Sequence, residues 1–163
     1  MGRELTRASF DNLPEIDFSI GLRYFLGNLD NYTKSLWAIL KSIKSKLPIL
    51  QSMNLNNEYE GLRTITQTLR KMLGNIGAIE LSNETYDLEL ALLNDNYNYL
   101  EEHLNIYIAR LVELSEQLEV LLKNSDYKNT NKTKEPNSFL NYDFTKTKES
   151  IKRTTDLLER KII

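Results

Sequence analysis

Residues 62–78 read LRTITQTLRKMLGNIGA, and their pattern decides the fold that we expect. On a helical wheel of about 100° per residue, most apolar residues of this stretch fall close to the direction of Leu69. They are Leu62, Ile65, Met72, Leu73 and Ile76. Gln67 and Lys71 fall on the opposite side. The pattern predicts an amphipathic helix with one buried stripe, and Gly77 is a plausible left-handed residue at its end.

Similar apolar spacings predict four more helices before residue 124. They are a short helix that Asp17 or Ser19 caps and Gly27 ends, a second that starts at about 28–30, a fourth over 80–93 and a fifth over 97–123. Because the links between these helices are short, neighbouring helices are expected to be antiparallel. Only 6 Gly and 3 Pro interrupt a leucine-rich chain, which favours helices over sheets. The expected fold is all-α, an antiparallel four-helix bundle with a short N-terminal helix.

Two local signals refine these boundaries. Asn57 is followed three residues later by Glu60, an arrangement typical of the capping box that opens a helix. We therefore expect the third helix to begin at Asn57. Pro48 lies within the apolar pattern of the second helix, where its ring and missing N–H are expected to kink the helix or end its regular part.

The chain divides into four segments by composition. Residues 1–16 are expected to form an irregular leader, 17–123 the bundle, 124–137 a polar linker and 138–163 a C-terminal amphipathic helix. The apolar residues of this last helix include Leu140, Phe144, Ile151 and Leu158. They are too many to stay exposed, so we expect them to pack on the bundle or on a second copy as a homodimer.

Composition excludes several classes of function. Twenty-one basic and 23 acidic residues give a net charge of -2, which supplies no electrostatic basis for binding nucleic acid or an anionic membrane. The longest apolar run, residues 36–40, is too short to cross a bilayer. The chain has no cysteine and one histidine, so we expect no disulfide, no thiol nucleophile and no metal or cofactor site. The expected compartment is the cytoplasm.

Residues 66–78 resemble the signature helix of histidine-containing phosphotransfer (HPt) domains. That helix carries a His-x-Leu-Lys-Gly core and, a few residues later, an end similar to the Asn75-Ile76-Gly77-Ala78 of this chain. The segment 17–32 is similar to the family's entry helix and the turn after it, while residues 88–96 fit its fourth helix and final hairpin. The resemblance covers residues 14–122. It implies a four-helix bundle that works in two-component signalling, with receiver domains or sensor histidine kinases as partners.

The chain departs from the HPt pattern where the chemistry takes place. The phosphoacceptor histidine of the family corresponds to Gln67, whose amide nitrogen is not a nucleophile because its lone pair is delocalised. The lysine of the pattern is Arg70, and the glycine that gives a partner clearance is Lys71. The resemblance therefore implies a degenerate HPt domain that is not an enzyme and has no catalytic residue.

The same helix offers a surface for a partner, which consists of Arg63, Gln67, Arg70, Lys71 and Gly74. Receiver domains present carboxylates around their phosphorylated aspartate, and these would attract the cations. Three alternatives stay open. The charged residues form only the solvated face of a helix, His103 on the fifth helix is the phosphoacceptor of an active protein, or the chain is a helical oligomerisation scaffold.

Overall fold

The computed structural model describes residues 4–125, and this part of the chain is all-helical. A 3-10 helix (Arg7–Phe10) precedes α1 (Phe18–Tyr24), α2 (Leu29–Asn56), α3 (Leu62–Asn75), α4 (Ile79–Leu93) and α5 (Tyr97–Lys123). Helices α2 to α5 each pack on the next, and α5 closes the ring against α2. The prediction of an all-α antiparallel bundle is confirmed. The predicted helix over 138–163 and almost all of the 124–137 linker lie outside the described residues.

Asx side chains start three of the helices. Asp17 accepts a hydrogen bond from the backbone N–H of Ile20 at 3.0 Å, which selects it over Ser19 as the cap of α1. Asn28 and Asn96 cap α2 and α5 in the same way. Each side chain satisfies a backbone donor that has no partner within the first helical turn. The predicted starts of these helices are therefore confirmed.

The expected capping box at Asn57 is wrong. Asn57 adopts a left-handed conformation (φ 54°) and ends α2, while α3 begins five residues later at Leu62. Asparagine tolerates the left-handed region as well as it caps helices, so its position in sequence alone does not separate the two roles. Pro48 does not end α2 either. The helix continues to Asn56, because burial of Leu47 and Leu50 around the exposed proline outweighs the one lost backbone hydrogen bond.

Residues 4–16 are more ordered than the irregular leader that the sequence suggested. Four apolar side chains of this segment are buried, namely Leu5, Phe10, Leu13 and Ile16. Phe10 packs on Phe18 and Tyr32, with ring centroids 5.1 and 6.1 Å apart. Arg110 of α5 also binds the segment by donating to Glu15 at 2.6 Å. The N-terminal segment is thus part of the same hydrophobic core as the bundle.

The apolar stripe of α3 faces the core as predicted. Five of its residues are buried, Leu62, Ile65, Leu69, Leu73 and Ile76, and Met72 packs against them half-buried. Helix α3 lies between α2 and α4 and diagonally across from α5. This orientation directs the opposite side of α3 away from the core, which is where the candidate site lies.

Candidate functional site

Gln67 lies midway along α3 on its outward side and is half-buried. Arg63 and Lys71 are both exposed, one helical turn before and one turn after it. Side chains four residues apart lie above one another on a helix, so the three form a continuous row. We call this row of Arg63, Gln67 and Lys71 the α3 outer face. The structure brings these three predicted site residues together.

Arg70 takes a different direction from the other two cations. Its Nε donates to Glu89 Oε2 of α4 at 2.8 Å, and the carboxylate side chain is only 8% exposed. The guanidinium carbon also lies 5.4 Å from the centre of the Tyr86 ring, within range of a cation–π interaction. Arg70 therefore joins α3 to α4. The sequence predicted three outward cations on this surface. The structure has two of them there, Arg63 and Lys71, whereas Arg70 lies at the edge of the surface.

Gly74 lies at the contact between α3 and α4. A Cβ added there would come within 3.3 Å of Ser82 Oγ, tighter than an ordinary contact. The same Ser82 hydroxyl donates to the backbone carbonyl of Arg70 at 2.8 Å. The missing side chain of Gly74 thus lets α4 approach α3, and it does not extend the outer face.

These contacts predict different costs for two neighbouring substitutions. We expect Arg70→Met to lower the free energy of unfolding by about 2 kcal/mol, because it leaves the Glu89 carboxylate buried and unpaired. Lys71→Met changes an exposed side chain and is expected to cost less than about 0.5 kcal/mol. Urea unfolding of both variants measures the difference. Glu89→Met added to Arg70→Met should recover most of the loss, and equal costs for the two single variants would contradict the assignment.

The beginning of α3 borders a cavity of about 660 Å³ at one end of the bundle. Tyr59 and Tyr97 stack there with ring centroids 5.6 Å apart. Burial raises the pKa of Tyr59 above its usual value, and the nearby charge of Glu101 raises it further. The charge of Asp95 raises the pKa of Tyr97. Asp95 and Glu101 line the cavity together with Arg63, so Arg63 has acidic neighbours. Lys71 lies two helical turns further along α3, away from the cavity.

His103 lies on α5, away from the α3 outer face. Its ring stacks on Tyr99 at 4.0 Å, and its Nδ1 lies 2.9 Å from the Tyr99 carbonyl oxygen, to which it donates. His103 lines a small cavity together with Glu84, which pairs with Arg110, and Asp87 of α4. The negative charge of Asp87 opposes the approach of a phosphoryl group. The imidazole is exposed, but its surroundings do not favour it as a phosphoacceptor.

The residues that sequence reasoning missed are on α4. Ser82, Tyr86 and Glu89 hold Arg70 and Gly74 in place. One signal pointed to Glu89. It directly follows Leu88 on the buried side of α4, and a carboxylate in that position requires a cationic partner.

Comparison of the chain with family models, curated proteins and solved structures finds no match. None of the helices within residues 4–125 has the length and apolar character that crossing a bilayer requires. In the same part of the chain, no three His, Asp or Glu side chains are grouped closely enough to hold a metal ion.

Proposed function

We propose that the chain is a degenerate HPt domain in two-component signalling that binds a receiver domain through the α3 outer face without carrying phosphate. The observation that carries this proposal is the placement of Gln67. It is half-buried at the middle of a bundle helix, with part of its side chain open to solvent between exposed cations one turn away on either side. An HPt phosphoacceptor needs such a position, since a partner must reach it while the bundle stays intact.

The side chain at this position decides the chemistry. A histidine there would offer an imidazole nitrogen with an available lone pair, but the amide of Gln67 offers none. The two other residues of the α3 outer face, Arg63 and Lys71, carry cationic side chains that donate hydrogen bonds and offer no acceptor lone pair, so neither replaces the histidine as nucleophile. Binding without phosphate transfer is the activity that this set of residues supports.

The charges of the α3 outer face suit a receiver domain as the partner. The carboxylates around a receiver's phosphorylated aspartate are complementary to Arg63 and Lys71. Lys71 is better placed for them than Arg63, which borders the acidic cavity. Because both cations are exposed, the attraction should be modest and should weaken as salt is added.

Reversing the charge of Lys71 tests this proposal. We expect Lys71→Glu to weaken receiver binding about tenfold at low salt, because it places a carboxylate against the acidic site. Lys123→Glu is the control, since it reverses the charge of an exposed lysine at the end of α5, diagonally opposite α3. It also removes the ion pair of Lys123 with Glu119 at 3.2 Å, so circular dichroism checks that this variant folds. Isothermal titration calorimetry at two salt concentrations measures both variants. Equal weakening by the two would show that binding does not use the α3 outer face.

A further inference from the structure

An open groove of about 440 Å³ lies between the N-terminal segment and the last turns of α5. Its lining includes Leu5, Leu13, Gln117, Val120, Leu121 and Ser125. Leu5 and Leu13 form a buried floor, whereas Val120 is 62% exposed at the edge. Val120 therefore exposes an apolar side chain to water beside an apolar groove. Covering both with a further apolar segment would be favourable.

The chain itself leads out of this groove. Ser125 is the last described residue and lines it. Residues 126–163 follow, and the polar stretch 126–137 can span about 40 Å when extended. Since α5 is also about 40 Å long, the stretch can deliver residues 138–163 to any point along the groove.

The charges of the two parts are complementary. Residues 4–125 contain 11 basic and 17 acidic side chains, for a net charge of -6. Residues 138–163 contain six basic and four acidic side chains, for a net charge of +2. Glu116 lines the groove, and Glu113 precedes it by less than one turn of α5. A basic segment with an apolar stripe therefore fits this apolar groove of a negatively charged bundle better than a second negatively charged bundle does.

We propose that residues 138–163 bind back into this groove of the same chain. In this arrangement their apolar residues, which include Phe144 and Ile151, contact the groove and cover Val120, while their basic residues are attracted by the negatively charged bundle. This binding is independent of the receiver proposal, since it uses α5 and the N-terminal segment and leaves the α3 outer face open.

The absence of cysteine allows a specific test in the full chain. Ser150→Cys provides one site for a nitroxide label, which broadens the NMR signals of nearby amides. We expect broadening at Ser9, Asn12 and Gln117 of the groove, but not at Gln67 on α3. A mixture of labelled, isotope-free chains with unlabelled isotopic chains should show no broadening. Broadening of the groove signals in the mixture as well would assign the groove to a second copy, and uniform or absent broadening would also overturn the proposal.

A pair of substitutions on α5 tests which surface is used. Val120→Asp places a charge in the groove, while Ile106→Asp makes a similar change on the same helix outside it, at a side chain that is 60% exposed. Val120→Asp should shift the docking equilibrium about tenfold towards release of residues 138–163 from the groove, because the apolar burial of Val120 is lost. Groove broadening should then fall, and trypsin cleavage within 146–161 should speed up about tenfold. Circular dichroism confirms that both variants fold. Equal changes in the two variants, or no change in either, would overturn the proposal.

Discussion

The double variant Gln67→His/Lys71→Gly is expected to accept phosphate from a phosphorylated receiver, whereas the natural chain is not. The histidine supplies the missing nucleophile at a half-buried position on the outward side of α3, at its middle. The glycine removes a long exposed side chain one turn away that would obstruct the receiver. A glycine inside α3 costs about 1 kcal/mol of helix stability, which the packed bundle tolerates.

The single variant Gln67→His should accept phosphate poorly, because Lys71 still projects beside the new imidazole. Arg70 does not compensate by binding the phosphoryl group, because its guanidinium already contacts Glu89 and Tyr86. Acid-labile label on the peptide that contains position 67 measures acceptance. All variants carry His103→Asn, so that label elsewhere is not mistaken for it. A double variant that folds and binds a receiver but takes no phosphate would show that the site has diverged beyond these two positions.

Gly77→Ala is expected to be among the most destabilising single substitutions, at about 2–5 kcal/mol. Gly77 has φ 94°, which strains any residue with a Cβ. The added Cβ would also lie 2.2 Å from the carbonyl oxygen of Asp17 and 3.0 Å from the N of Gly21. Asp17 donates its backbone N–H to the Gly77 carbonyl at 2.9 Å, so the clash would separate α1 from the α3–α4 turn.

Gly27→Ala is the control for this prediction. Gly27 also has a positive φ, of 78°, but an added Cβ would meet nothing within 4 Å. Its cost should be limited to the backbone strain, about 1–2 kcal/mol. Urea unfolding of the two variants isolates the contribution of the clash. If both substitutions cost the same, the close packing of Gly77 against α1 is not a determinant of stability.

The helices could be predicted because their signals are local. The stripe of α3, the cap of α1 at Asp17 and the left-handed Gly77 each depend on a few neighbouring residues, and the structure has the stripe and Gly77 as predicted and selects Asp17 from the two predicted caps. Asn57 could not be assigned in this way, since the same residue type favours both a helix start and a left-handed helix end.

The candidate site was harder to predict, because its side chains depend on contacts between helices. A helical wheel places Arg70 beside Gln67. Only the packing of α4 against α3 shows that Arg70 binds Glu89, 19 residues away, and so points away from Gln67. The buried ion pair between Lys44 and Glu119, at 3.0 Å, is of the same kind. Lys44 lies beside Ile43 on the buried side of α2, where its sequence position gives no sign of the partner on α5.

The most direct test of the receiver proposal is an NMR titration of the isotope-labelled natural chain with receiver domains from the same host. At low salt, at least one receiver should shift the signals of Arg63, Gln67 and Lys71, and added salt should reduce those shifts. Signals of the groove at the end of α5 should stay unchanged, which separates this result from docking of the C-terminal segment. If no receiver in the panel binds, or if the shifts lie on α5 and leave α3 unaffected, the account of this chain as a receiver-binding degenerate HPt domain is contradicted.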